Sequence, residues 1–115
     1  MLVSIDPTSD TPLFEQIAAE LRAALARGDL ESGDRLPSAR ELAESLEVNM
    51  HTVLRAYGAL RDEGLVEMRR GRGVTVLRTA GHRARLFELA HALLVEARKQ
   101  GLGMDQVKAL LEELR

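Results

Sequence analysis

"PSARELAESLEVNMHTVLRAYGALRDEG", residues 37–64, decides the fold. Ser38 and Glu41 stand at the S-x-x-E spacing of a capping box, in which the serine oxygen and the glutamate carboxylate satisfy each other's backbone N–H groups. This predicts a helix starting at Ser38, with Leu42, Ala43 and Leu46 as its short buried face. Asn49 is placed to cap a second helix running to about Glu63, with Val53, Ala56, Tyr57 and Leu60 inward and Gly64 at its end. Tyr57 is expected to fill the core with its hydroxyl at the edge. Two short helices joined by about three or four residues form a helix-turn-helix.

Upstream, Thr11 reads as an N-cap with Pro12 at the first helical position. Leu13, Ile17, Leu21 and Leu25 then make one apolar stripe that Gly28 ends. "DLESGDRLP", residues 29–37, reads as a turn with Gly33 and Asp34 at its tip. Downstream the periodicity changes. "LVEM" (65–68) and "VTVL" (74–77) are short β-favouring runs separated by Arg69-Arg70-Gly71-Arg72-Gly73, which predicts a hairpin with a basic tip. A helix-turn-helix followed at once by a hairpin is a winged helix.

Helical spacing returns after Gly81. Leu86, Leu89, Ala90, Leu93, Leu94 and Ala97 form a broad stripe, Gly101-Leu102-Gly103 breaks it, and Met104, Val107, Leu110, Leu111 and Leu114 form a last amphipathic segment. The expected architecture is therefore mainly α with a small β-hairpin. A winged helix-turn-helix domain spans 1–78, and a C-terminal two-helix appendage spans 79–115. The tail helices are too small to close a core of their own. Leu86, Leu89, Leu93, Leu94, Val107, Leu110, Leu111 and Leu114 are expected to form a dimer interface.

Composition narrows the function classes. The chain has 115 residues, 45% of them hydrophobic and 30% charged, which suits a folded globular domain. There is no cysteine, so disulfides and thiol chemistry are excluded. The opening residues MLVSIDPTSD lack a basic-then-apolar signal pattern, and no apolar run approaches the ~18 residues of a membrane span. A cytoplasmic protein without membrane contact is expected. No nucleophile–base pairing or cofactor fingerprint is present, and His51, His82 and His91 lack the spacing of a metal site. Neither an enzyme nor a cofactor is expected.

Charge is unevenly placed. The formal net charge is −2, yet residues 67–78 hold four arginines and two glycines, and the run from Arg69 to Arg85 holds six arginines and no acid. A local cationic patch binds a polyanion even when the net charge is near zero.

The stretch "PLFEQIAAELRAALARGDLESGDRLPSARELAESLEVNMHTVLRAYGALRDEGLVEMRRGRGVTV", about Pro12 to Val76, resembles the winged-helix DNA-binding domain of the GntR family of bacterial transcription regulators. The most specific pieces are "GDRLPSARELA", "VNMHTVLRAYGAL", "EGLVE" and "RRGRG". The "VN-x-x-TV-x-RAY" variant and the short tail are similar to the YtrA subfamily. That resemblance implies a homodimeric regulator, a repressor by expectation, binding double-stranded DNA at an inverted-repeat operator, frequently of a transporter operon. A small-molecule effector in a crevice between winged helix and tail would shift the spacing of the recognition helices. There are departures. Family members commonly carry glycine where Glu47 stands, so Glu47 must either avoid a left-handed conformation or bear strain of roughly 1 kcal/mol. Met50 stands where the subfamily often has proline and other branches arginine. Leu54 replaces an arginine found in some branches, so the family's base contacts are not carried over to these two positions.

In the expected docking the second helix of the motif lies in the major groove, its N-terminal residues Asn49, His51 and Thr52 nearest the bases and Arg55 one turn on. Asparagine pairs with adenine, threonine meets base or phosphate, and arginine reaches guanine or the backbone. Arg40 matches a DNA-contacting arginine of the family. Ser38, with the helix N-terminus beside it, offers donors to a phosphate. Arg69, Arg70 and Arg72 at the wing tip would neutralise phosphates or enter the minor groove, with Gly71 and Gly73 letting the backbone approach. The rival reading is a winged-helix protein-interaction module that never meets DNA. The basic residues on the recognition helix and wing argue against it.

Overall fold

The computed structural model describes residues 3–70 and 73–115. In chain order the elements are α1 (Leu13–Arg27), β1 (Arg35–Leu36), α2 (Ala39–Leu46), α3 (Met50–Asp62), β2 (Val66–Arg69), β3 (Gly73–Val76), α4 (Ala80–Lys99) and α5 (Met104–Glu113). Two compact units are formed, Met1–Arg85 and Leu86–Arg115. The first ends inside α4 rather than before it.

Helix boundaries follow local chemistry. At α2, Ser38 Oγ accepts from the Glu41 N–H at 3.0 Å and Glu41 Oε1 accepts from the Ser38 N–H at 3.3 Å, completing the expected box. Asn49 caps α3, its Oδ1 accepting from the His51 N–H at 2.8 Å. The start of α1 differs from expectation. Pro12 occupies the N-cap position without a side-chain cap, and Thr11 lies outside the helix, its N–H donating to Ser9 Oγ. Proline's fixed φ of −54° suits the position, but it brings no acceptor oxygen on its side chain. Gly28 ends α1 in the left-handed region, and its neighbour Asp29 donates its N–H to Ala24 O.

The core of the first unit joins Ile17, Leu21 and Leu25 of α1, Leu42 and Ala43 of α2, and Val53, Ala56, Tyr57 and Leu60 of α3. Leu65, Val66, Val74 and Val76 close it from the sheet side, and Ala80 and Ala84 add the first turns of α4. The Tyr57 ring is fully buried, while its hydroxyl donates to Pro37 O at 2.6 Å. Burial, and secondarily the charge of Glu41, pushes the phenol well above its ordinary range, so the proton stays on the oxygen.

The sheet is antiparallel and three-stranded, in the order β1-β3-β2. The hairpin was expected, whereas β1 was read as turn. Arg35 pairs with Thr75 and Leu36 with Val74, and the Val76 N–H continues the ladder by donating to Asp34 O at 2.8 Å. On the other side Val66, Glu67, Met68 and Arg69 face Val76, Thr75, Val74 and Gly73. The wing is thereby held at its base from both edges of β3.

The C-terminus of α3 is tied down twice. Arg22 of α1 donates from Nε and Nη2 to the two carboxylate oxygens of Glu63 at 2.8 and 2.7 Å. Arg83 of α4 donates from Nε to the Glu63 carbonyl at 2.9 Å, placing a cation at the negative end of the helix.

Candidate nucleic-acid interface

With one side of α3 locked into the core, its other side faces outward. His51 and Arg55 are exposed there and Thr52 is half-buried. Arg55 is not loose: its guanidinium carbon sits 3.9 Å from the centroid of the Phe14 ring. Such stacking holds the fork of donors in one orientation without consuming the donors. Leu13, Phe14, His51, Thr52 and Arg55 line an open cleft of about 400 Å³ between the N-terminal ends of α1 and α3. Asn49 uses Oδ1 in its cap, which leaves the side-chain N–H₂ to donate outward.

Arg40 is exposed in the first turn of α2. Ser38 commits its oxygen as an acceptor inside the capping box, and its hydroxyl proton is left for another partner. On the wing, Arg69 ends β2 and Arg70 follows it, both exposed. Arg69 Nε donates to Glu67 Oε1 at 2.6 Å on the same strand. Exposed pairs of this kind are worth about 1 kcal/mol or less, so a phosphate competes readily for the guanidinium. Gly73 opens β3 at φ +79°, where a β-carbon would be strained. Gly71 and Arg72 lie outside the described residues.

Residues 13–76 match the family described as bacterial regulatory proteins, gntR family. The chain belongs to the GntR family. This GntR-family transcription regulator is 33% identical to the HTH-type transcriptional repressor YtrA of Bacillus subtilis (strain 168), over 98% of this chain and 92% of that one. It superposes with a TM-score of 0.64 at 38% identity on YtrA from Sulfolobus acidocaldarius, a GntR-family transcription factor, covering 82% of this chain and 99% of the other. AraR(DBD) in complex with operator ORX1 superposes with a TM-score of 0.57 at 27% identity, over 64% of this chain and 90% of that chain. The winged-helix fold and the YtrA likeness expected from the sequence are borne out. Among the described residues no helix is long and apolar enough to cross a membrane.

Two residues that line open clefts were not singled out in the sequence. Phe14 lies outside the apolar stripe named for α1, and its place beneath Arg55 depends on how α1 packs against α3. Arg35 was hidden in a presumed turn. The sheet register sets Arg35, Thr75 and Glu67 in one row, and with Arg69 they line a second open cleft of about 310 Å³. A strand of two residues carries no alternation to read. In the tail, Leu86, Leu89, Leu110, Leu111 and Leu114 are exposed, Leu93 and Leu94 are half-buried, and Val107 is buried.

Proposed function

We propose that this GntR regulator is a cytoplasmic homodimeric repressor that binds an inverted-repeat operator through α3 and the wing of each protomer. The observation that carries this reading is the oriented Arg55, stacked on Phe14 at the outward face of α3, in a unit whose hairpin ends in Arg69 and Arg70. In this reading Asn49, His51, Thr52 and Arg55 meet base edges and neighbouring phosphates. Arg40, Ser38 and the N–H groups at the start of α2 hold the backbone. Arg69, Arg70, Gly71, Arg72 and Gly73 form the wing contact. The likeness to AraR(DBD), which is bound to an operator, supports DNA as the partner, and the likeness to the YtrA repressor supports repression.

Dimerisation falls to the tail. Leu86 is 67% exposed and Leu114 77%, with Leu89, Leu110 and Leu111 also open. So much leucine surface in a unit of this size calls for a cover, and a second copy supplies a self-complementary one, with Leu93, Leu94 and Val107 supporting the interface from behind. Two recognition helices then address half-sites about one helical turn, ~34 Å, apart. A small-molecule effector that changes this spacing, and a transporter-type operon as the target, complete the reading.

The test is direct. Light scattering on the purified chain, followed by fluorescence anisotropy against palindromic duplexes from its own promoter, is expected to give a dimer and a clear preference over scrambled duplex. A monomer at micromolar concentration, or equal affinity for both duplexes, would contradict the proposal.

A further inference from the structure

The outward arc of α3 is chemically divided. The helix advances about 100° per residue, and Val53, Ala56, Tyr57 and Leu60 fix the inward direction. His51 and Gly58 then stand near the middle of the outward arc. Arg55 and Thr52 lie to one side of them and Leu54 to the other, with Met50, one turn before Leu54, at the border of the buried face. Met50 and Leu54 are each 37% exposed. Among the described residues of the unit Met1–Arg85 they are the only exposed large hydrophobic side chains. Four residues apart, they are neighbours on the helix surface. More than a third of each residue is left open to solvent, an apolar pair beside the cationic and polar groups of the same helix.

Gly58 continues the same arc one turn further. Its φ is not in the left-handed region, and an added β-carbon would meet only Arg61 Nη2, at 3.8 Å. Glycine inside a helix costs about 0.5–1 kcal/mol relative to alanine. Here that cost has no structural return, whereas a bare backbone lets the helix seat deeply in a groove.

We propose that Met50 and Leu54 determine operator specificity by packing on the C5-methyl groups of thymines in the major groove. This rests on the DNA-binding reading above and adds which base is read. The thymine methyl is the one apolar feature that the major-groove edge of a base pair presents. Cytosine carries only a C5–H where thymine carries the methyl, so it forfeits this packing and leaves a gap beside the two side chains. His51 at the middle of the arc and Arg55 beyond it, with hydrogen-bonding heads, address the adjoining base pairs or phosphates.

Uracil tests this, because it pairs as thymine does and lacks only the methyl. Duplex pools with one randomised segment, made with thymidine or with deoxyuridine, are selected in parallel with the full chain. The thymidine pool is expected to enrich a motif with thymine in the half-site. Replacing those thymines by uracil in the selected duplex is expected to weaken binding by about fourfold for each methyl removed. The Met50→Ala/Leu54→Ala double variant, altered only at exposed positions, is expected to bind the two forms equally. If the unaltered protein binds thymine and uracil forms equally well, the methyl reading is overturned while DNA recognition stands. If neither pool enriches any sequence, specific DNA recognition is overturned and this inference with it.

Discussion

Arg55 and Phe14, from different helices, form a stacked pair with the guanidinium carbon 3.9 Å from the ring centroid. The ring belongs to α1 and the cation to α3, so the packing of those two helices presets the side chain that the proposed function turns toward DNA. Preset side chains lose less rotamer freedom on binding.

Phe14→Leu keeps apolar bulk and removes the ring face. Affinity for the preferred duplex is expected to fall by about two- to fivefold, the equivalent of an exposed cation–π contact, with the thermal midpoint lowered by a few degrees because Phe14 also packs against the core. Anisotropy and a melting curve on the same sample check both. Unchanged affinity would show that the stack does not orient Arg55 for binding.

Glu47 ends α2 at φ 58° and ψ 45°, among the described residues the sole non-glycine residue with positive φ. Its side chain bears the left-handed strain that the glycine usual at this place avoids. Glu47→Gly is expected to raise stability by about 0.5–1 kcal/mol, the relief of strain being partly offset by the freer unfolded chain. A urea titration would show a higher midpoint at unchanged slope; a lower midpoint would contradict this account of the turn.

The Arg22–Glu63 pair is bidentate, and its side chains are only 14% and 22% exposed. Arg22→Ala takes the fork away from a carboxylate that is largely out of water. The expected cost is about 1–3 kcal/mol, and Arg22→Lys, which keeps charge but not the fork, should lose an intermediate amount. Denaturation of the three proteins decides it. A lysine variant as stable as the parent would mean that charge alone suffices.

Tyr57 links stability to alkaline pH. Its folded-state pKa is raised above the ordinary value of 10.0, first by burial and then by Glu41. The neutral phenol is therefore favoured by folding, and its contribution is complete below pH 10 and lost as pH climbs from there toward the raised folded value. Tyr57→Phe is expected to cost about 1 kcal/mol at neutral pH through the hydrogen bond to Pro37 O, and to show a flatter stability profile above pH 10. Parallel profiles for the two proteins would contradict the buried, neutral phenol.

Much of this was legible in the sequence where the determinants are local. Ser38 with Glu41, Asn49 before α3 and Gly28 after α1 are decided within about one helical turn, and the inner face of α3 follows from helical spacing. What was not legible depends on partners far along the chain. β1 exists because β3 pairs with Arg35 and Leu36, the Arg22–Glu63 bond because α1 lies by the end of α3, and the Arg55–Phe14 stack because those helices cross where they do. The Thr11 cap was misread because proline at the next position takes over the N-cap without supplying a side-chain acceptor.

The salt dependence of operator binding tests the central claim most directly, because cations on phosphates release counterions in proportion to the contacts made. For a dimer using Arg40, Arg55, Arg69 and Arg70 of each protomer, the logarithm of affinity is predicted to fall linearly with the logarithm of salt at a slope magnitude of about 6 or more. Arg70→Ala is predicted to lower that magnitude by about 2 per dimer. Affinity that is indifferent to salt, or a slope that Arg70→Ala leaves unchanged, would contradict a wing and recognition helix that grip the duplex together.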